Sequence, residues 1–449
     1  MWLINTTTLQ LEYFTVPPER YAILSHAWED EEVIFEEMRG SQNRIRSKKG
    51  FLKIQRCSVI ARAEKFDHVW IDTCCIDKGS SAELSEAINS MFAWYSEASC
   101  CMIYLYDVPE ASFENLQSSR MFEHSRWFRR GWTLQELLAP KFRKFYTSDW
   151  TFIGSLTDDR TRVYLPPPVY FPPPPMRGVH GDYETPNSIR SAVCRAGRLP
   201  ESAISMVFDK HCVSERMSWA SHREVTRPED MAYSLMGIFD VNMPIIYGEG
   251  ETKAFRRLQE EILKTSFDAS VFVWKRPTYE GRRSSIPPAP PGSGYGSDIF
   301  ASSPRDFADL PRVKIEPSPA LAPSITTNFG LSVGVWLVQQ NAQSDIVLAA
   351  TRDQVKYDGT SKRLTHIAYF PCSTKDSYGD LCRIGVWVTS VGTTTILANG
   401  AACRVFRRMV PSGLLLTPVD DPDLAEASYT QIVIQNDKQH RLTIAARFD

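Results

Sequence analysis

The chain has 449 residues, a formal net charge of -2 and 43% hydrophobic residues. That is enough apolar material for a sizeable core and, by length, for about three domains. The balanced charge leaves no global footprint for nucleic acid or an anionic membrane. No apolar run approaches the ~20 residues of a membrane span. The opening Met-Trp-Leu-Ile-Asn-Thr has no basic region before an apolar core, so a cytoplasmic protein is expected.

In chain order, residues 21–28 (Tyr-Ala-Ile-Leu-Ser-His-Ala-Trp) read as a buried strand that turns polar at its end. Residues 50–65 carry Phe51, Ile54, Cys57, Ile60 and Ala61 at helical spacing. His68-Val-Trp-Ile-Asp72 is a short apolar strand with polar residues after it, and residues 81–98 predict an amphipathic helix with a stripe of Leu84, Ile88, Met91, Phe92 and Tyr95. Residues 100–106 give a third strand closed by Asp107, and residues 142–146 a fourth. Strands alternating with helices predict an α/β unit with a parallel sheet, whose ligands bind outside the carboxyl ends of its strands. Ser25, His26, Asp72, Asp77 and Asp107 gather there.

Between the third and fourth strands lies Ser-Arg-Trp-Phe-Arg-Arg-Gly-Trp-Thr-Leu-Gln-Glu-Leu-Leu, residues 125–138. Gly131 precedes a short helical pattern that Pro140 ends. Leu134, Leu137 and Leu138 share one face, expected to meet the core, while Trp132 and Glu136, four apart, fall on the other.

Residues 165–175 are a polyproline-type stretch, read as a stiff insertion or a docking peptide for a Pro-binding module. Residues 201–274 read as mostly helical. Thr226-Arg-Pro-Glu229 fits a capping box and Gly237 a helix end. Gly248-Glu-Gly250 reads as a turn rather than a phosphate loop, for want of a preceding strand and a following Gly-Lys. Residues 276–325 are rich in Pro, Ser and Gly and read as a linker. Eight short alternating runs follow, at 331–338, 346–350, 364–370, 382–388, 395–398, 403–406, 430–434 and 442–446, which predict a sandwich or barrel.

The ten Cys show no C-x-x-C spacing, so buried free thiols are expected and no metal site or cofactor is assigned. Other chemistries considered are a Cys74 or Cys75 nucleophile with His26 and Asp72, a metal held by His26, Asp72, Cys75 and Asp77, and a carboxylate pair of Glu136 with Asp72, Asp77 or Asp107.

Three blocks carry a resemblance: Tyr21-Ala-Ile-Leu-Ser-His-Ala-Trp28, Val69-Trp-Ile-Asp-Thr-Cys-Cys-Ile-Asp77 and Arg130-Gly-Trp-Thr-Leu-Gln-Glu-Leu137. In this order they resemble the signature of the fungal heterokaryon incompatibility (HET) domain. The likeness continues through Arg216-Met-Ser-Trp-Ala220, Arg227-Pro-Glu-Asp230, Gly237-Ile-Phe-Asp240 and 243–250. Two positions depart from the family pattern. Lys78 follows Asp77 where the family usually has Gln, and Glu29 follows Trp28 where it often has Gly.

The resemblance implies a role in self/non-self recognition and programmed cell death, hence innate immunity in a fungus. HET domains also resemble TIR domains, and Trp-Thr-Leu-Gln-Glu-Leu here is similar to the TIR run whose Glu cleaves NAD+. That implies Glu136 as the catalytic residue, with Ser25, His26, Trp28, Asp72, Arg130 and Trp132 binding substrate, and an oligomer formed by self-association. The implied fold is a TIR/flavodoxin-like parallel sheet with a helical extension, then a β-rich domain. The boundaries are 1–155 for the HET domain, 156–200 for the Pro-rich insertion, 201–275 for the helical extension, 276–325 for the linker and 326–449 for the β-rich domain. Two readings stay open: an NAD+ nucleosidase with NAD+ as substrate and no other cofactor, or a non-enzymatic signalling module that recruits a partner.

Overall fold

The structure, a computed structural model, describes residues 1–40, 42–109, 120–157, 186–205, 210–275, 299–316, 325–327, 330–339, 366–376, 378–396, 402–408, 414–419 and 427–435. The polyproline stretch, most of the linker and the strands expected at 346–350 and 442–446 lie outside the described residues. Two compact units divide the chain. One comprises Met1–Lys210 with His222–Ala254, the other His211–Ser221 with Phe255–Asp449.

The first unit is built on a seven-stranded sheet. Its strands are β1 (Trp2–Asn5), β2 (Leu11–Tyr13), β3 (Ala22–His26), β4 (His68–Ile71), β5 (Cys100–Tyr104), β6 (Phe142–Tyr146) and β7 (Phe152–Thr157), in the order β2-β1-β4-β3-β5-β6-β7. The expected parallel strands are the central four. β3 pairs in parallel with β4 and β5, and β5 with β6. The sheet as a whole is mixed, because the unforeseen β1, β2 and β7 add antiparallel edges. Every residue of β3, β5 and β6 is buried, as central strands covered on both faces require. Numbered among themselves, the parallel strands run second, first, third, fourth. The order therefore reverses between β3 and β5, which is where doubly wound sheets open a ligand crevice.

The helices of this unit are α1 (Phe35–Arg39), α2 (Lys49–Ala63), α3 (Ser81–Glu97), α4 (Arg120–His124), α5 (Thr133–Leu138), α6 (Pro186–Gly197) and α7 (Glu201–Ile204). The Ser80 side chain caps α3 by accepting from the Glu83 N–H. Ile88, Met91 and Tyr95 of its stripe are buried, whereas Leu84 and Phe92 are half-buried. After α8 (Val213–Ser218) of the second unit, the single helix expected from Thr226 is two short ones, α9 (Asp230–Tyr233) and α10 (Met236–Phe239). No capping box forms, because the Glu229 carboxylate turns elsewhere, to the backbone N–H groups of Gly248 and Gly250 at 2.8 and 2.9 Å. Both glycines have positive φ, +96° and +84°, so their N–H groups converge on that internal anion and the turn is filled from within. Gly237 does not end the helix. The chain leaves α10 through Asp240 in the left-handed region, and Gly237 instead allows α10 to lie against Phe92 of α3.

α11 (Glu251–Thr265) leads into the second unit, where the barrel alternative is realised. β10 (Gly330–Gln339), β11 (His366–Lys375), β12 (Leu381–Ile396), β13 (Ala402–Arg408) and β15 (Ser428–Gln435) pair in a closed ring. Five strands cannot alternate direction all the way around, so one neighbouring pair must be parallel, and it is β13 with β15. The runs at 382–388 and 395–398 are two halves of the long β12. Register shifts interrupt its pairing with β13 between Ser390 and Thr394, and such bulges bend strands for closure. Val335, Ile367, Phe370, Ile384, Val388 and Ile434 are buried. β8 (Lys314–Ile315), β9 (Ile325–Thr327) and β14 (Leu415–Pro418) pair onto the outside of the ring.

A methyl group on Gly237 would sit 2.1 Å from Phe92 Cβ. Gly237→Ala is therefore expected to lower stability by about 2–3 kcal/mol in urea unfolding, as overpacking does. Adding Phe92→Ala should recover part of that loss, and a neutral Gly237→Ala would contradict this packing.

Candidate functional site at the carboxyl ends of the parallel strands

α5 is six residues long, too short to be stable alone, and every one of those residues is buried. The expected split into a core face and a free face is therefore corrected: the helix is enclosed on all sides. Three contacts hold its start. The Thr133 hydroxyl donates to the carbonyl of Trp127 at 2.5 Å and approaches that of Arg130 at 3.0 Å. Gly131 N–H donates to Glu224 O at 2.8 Å, and Glu224 N–H to Arg129 O at 2.6 Å. Arg223 Nη1 donates to Arg130 O at 2.7 Å and Thr133 Oγ1 at 3.0 Å. A Cβ at Gly131 would meet Val225 at 2.5 Å, so glycine lets this strap lie close. At the other end the buried Arg143 of β6 donates to Leu137 O at 2.8 Å and satisfies a terminal helix carbonyl.

So held, Glu136 is only 7% exposed. It accepts a short hydrogen bond from the Ser25 hydroxyl, which accepts in turn from the Trp127 indole N–H at 2.8 Å. The Tyr95 hydroxyl lies within reach of the Glu136 carboxyl and of Leu24 O, the latter at 3.1 Å. Burial, reinforced by the negative charge of Asp72, pushes the Glu136 pKa up to about 8. Ser25, the charge of Arg130 and Tyr95 oppose that rise without cancelling it.

Asp72, just past β4, behaves in the opposite way. Burial works against its ionisation, but the hydrogen bond and charge of His26, the charge of Lys78 and the Trp28 indole outweigh it, so its carboxyl stays well below the usual range. His26 Nε2 is 3.0 Å from Asp72 Oδ1, and Trp28 Nε1 donates to Oδ2 at 2.7 Å. His26 Nδ1 faces Glu32 at 3.6 Å. One ionised and one neutral carboxyl thus stand close enough to feel each other, an arrangement that separates acid from base roles.

Of the sequence-predicted residues, Ser25, His26, Trp28, Asp72 and Glu136 form this group, with Arg130 acting on Glu136 through its charge. Trp132 does not join them by hydrogen bond. It is half-buried, and its indole donates to Asp230, which also accepts from Tyr247 at 3.0 Å. Sequence reasoning missed Trp127, Tyr95 and Arg223. Tyr95 was visible only as one member of a core stripe, and Arg223 carries no local signal.

Cys74 and Cys75 are buried, and a hydrogen bond to Cys75 together with burial raises the Cys74 thiol well above its normal range, which argues against a thiolate nucleophile. The nine cysteines whose side chains are described are all free. No cluster of three His, Cys, Asp or Glu placed to hold a metal occurs among the described residues. A separate cavity, lined by Tyr13, Cys75, Ser80, Glu83, Glu86 and Trp94 among others, involves neither Glu136 nor any of the residues predicted to bind substrate with it.

Residues 21–124 match the family model described as heterokaryon incompatibility protein (HET). The chain carries a HET domain. Residues 253–402 match a domain of unknown function (DUF8212). The chain is also 39% identical over 255 residues to "Vegetative incompatibility protein HET-E-1" of Podospora anserina, an alignment covering 56% of this chain and 16% of the relative. The chain thus spans a small part of that relative's length. No solved structure matches. The matched HET segment contains Ser25, His26, Trp28, Asp72 and Tyr95, while Glu136 and its strap follow it in sequence. No helix among the described residues is long and apolar enough to cross a membrane.

The raised Glu136 pKa has a consequence for stability. Glu136 keeps its proton in the folded protein and loses it in the unfolded chain between pH 4.5 and about 8. The folded state binds the extra proton there, so this contribution is full below pH 4.5 and lost as pH rises through about 8. Glu136→Gln cannot ionise. Between pH 5 and 8.5 the wild type should lose up to ~4 kcal/mol more than this variant in urea unfolding. Equal pH slopes would contradict a neutral buried Glu136.

Proposed function

We propose that this chain acts in vegetative incompatibility, and that its HET domain triggers cell death by cleaving NAD+ at the nicotinamide–ribose bond. The observation that carries the reading is Glu136, a carboxyl tuned by burial beside a reversal in strand order. The substrate's nicotinamide ring is cationic. Brought near Glu136, that charge favours the carboxylate, so binding ionises the group and releases its proton. As the C1′–N bond breaks, the electron pair goes to the pyridine nitrogen and positive charge moves to the ribosyl centre, which the carboxylate stabilises. Water adds at C1′ and gives its proton to Glu136, restoring the resting state. The balance is NAD+ and water to ADP-ribose, nicotinamide and one proton. Ser25 and Tyr95 hold the carboxyl in place, and self-association follows from the TIR-like reading.

A second reading, a non-enzymatic recruitment module, is favoured by one observation. Glu136 is already enclosed and hydrogen-bonded by Ser25, so substrate must open this arrangement before it can reach the group.

The deciding measurement is nicotinamide release from NAD+ by the full chain, alone and after enforced oligomerisation. The wild type should turn over, and Glu136→Gln should lose at least ~100-fold, the scale at which electrostatic catalytic groups matter. Undiminished turnover in Glu136→Gln overturns the assignment. Absent turnover with cell killing intact establishes the recruitment module.

A further inference from the structure

Three cations in this region make no ion pair among the described residues: Lys78 acts on Asp72 and Arg130 on Glu136 through charge alone, and Arg227 acts on Glu229 and Asp230. The Lys78 ammonium lies 3.6 Å from the centre of the Trp28 ring, and Trp28 is 42% exposed. The Arg227 guanidinium lies 4.1 Å from the Tyr247 ring, whose hydroxyl donates to Asp230. Arg130 is half-buried and acts on Glu136. Lys78 and Arg227 are both exposed and feel each other's charge, and Lys78 also feels Asp72. An aromatic face binds each of these two cations, and cation–π contacts at exposed sites are weak. A phosphate makes charge-assisted hydrogen bonds that are stronger. A flat ring stacking on Trp28 would also have to displace Lys78, leaving its ammonium free beside the incoming ligand.

We propose that Lys78 and Arg227 form a phosphate-binding subsite, which takes the pyrophosphate of an adenine dinucleotide while a ring of that ligand stacks on Trp28. This rests on the reading of the crevice as an NAD+ site and adds the residues that select a phosphorylated ligand. Lys78 is one of the two departures from the HET pattern, so this chain places a positive charge where its resemblance predicts a neutral amide. Asp72 keeps the subsite from a large uncompensated positive charge when empty. Repulsion between Lys78 and Arg227 is relieved when an anion sits between them, so ligand and cations stabilise one another.

The test is calorimetric titration of the full chain with ADP-ribose, the phosphate-bearing product, and with adenosine, which lacks phosphate. Wild type should bind ADP-ribose, more weakly as salt rises, and adenosine at least tenfold more weakly. Lys78→Gln and Arg227→Gln should each weaken ADP-ribose about tenfold without weakening adenosine, and each variant should still unfold in one cooperative thermal transition. Unchanged ADP-ribose affinity in both variants overturns the subsite, as does a wild type that binds no ADP-ribose. The two readings fail separately. Phosphate-dependent binding without nicotinamide release keeps the subsite and removes the nucleosidase. Nicotinamide release with an unaltered KM in both variants keeps the nucleosidase and removes the subsite.

Discussion

The hydrogen bond from Ser25 to Glu136 joins the end of a central strand to a helix that could not exist alone. Ser25 sits on β3, at the middle of the sheet, and Glu136 on a six-residue helix held by contacts at both ends. A carboxyl taken out of water must either find donors or keep its proton, and this one does both. The Trp127 indole donates to the serine that donates to the acid, and donors linked in this way polarise one another. Much of the surrounding construction serves that arrangement. Arg143 closes the far end of α5, Arg223 and Glu224 close the near end, and Tyr95 reaches in from α3.

Asp72 gives the arrangement its asymmetry. Two carboxyls in one partly dry region cannot both be charged cheaply, and local donors decide which one is. Asp72 has the imidazole of His26 and the indole of Trp28, so the charge resides there. Glu136 has two hydroxyls, which suit a neutral acid as well as an anion. The resting site is therefore polarised toward the Trp28 side before any ligand arrives. A cationic ring near Glu136 would meet a group able to ionise in response, which a permanently charged carboxylate could not do.

How much of this was legible in the sequence follows from how local each signal is. The four parallel strands announced themselves as apolar runs, because strands covered on both faces need little else. The edges β1, β2 and β7 are short or half-exposed and lack that contrast. The alternating runs that fall within the described residues pointed to the β-rich unit, but not to two of them being one bent strand. Ser25, His26, Trp28, Asp72 and Glu136 were legible as strand-end and helix positions. The spacing of Trp132 and Glu136 predicted a shared free face, but spacing carries no information about what each side chain meets: Glu136 turns to Ser25. Trp132 turns to Asp230, almost 100 residues later. The capping box at Thr226 failed for a similar reason. Glu229 finds two convergent backbone donors at Gly248 and Gly250 and leaves its own helix uncapped.

The strap at residues 223–225 shows why the site needs sequence outside the matched HET segment. Its backbone pairs with the Arg129–Gly131 turn, and the missing side chain of Gly131 makes room for Val225. Arg223 is 2% exposed, yet its Nε and Nη2 have no hydrogen-bond partner among the described residues. Burial pushes its pKa down to about 9 even though the charge of Glu136 opposes the fall. Unpaired buried guanidinium donors are costly, and nothing in holding Arg130 and Thr133 requires more than Nη1. The cost has a physical counterpart in the neutral resting state of Glu136. When that acid ionises, Arg223 and Arg130 are the positive charges positioned to stabilise the anion. The strap thus does more than fasten a short helix: it brings the charge that makes an ionised Glu136 tolerable inside the fold.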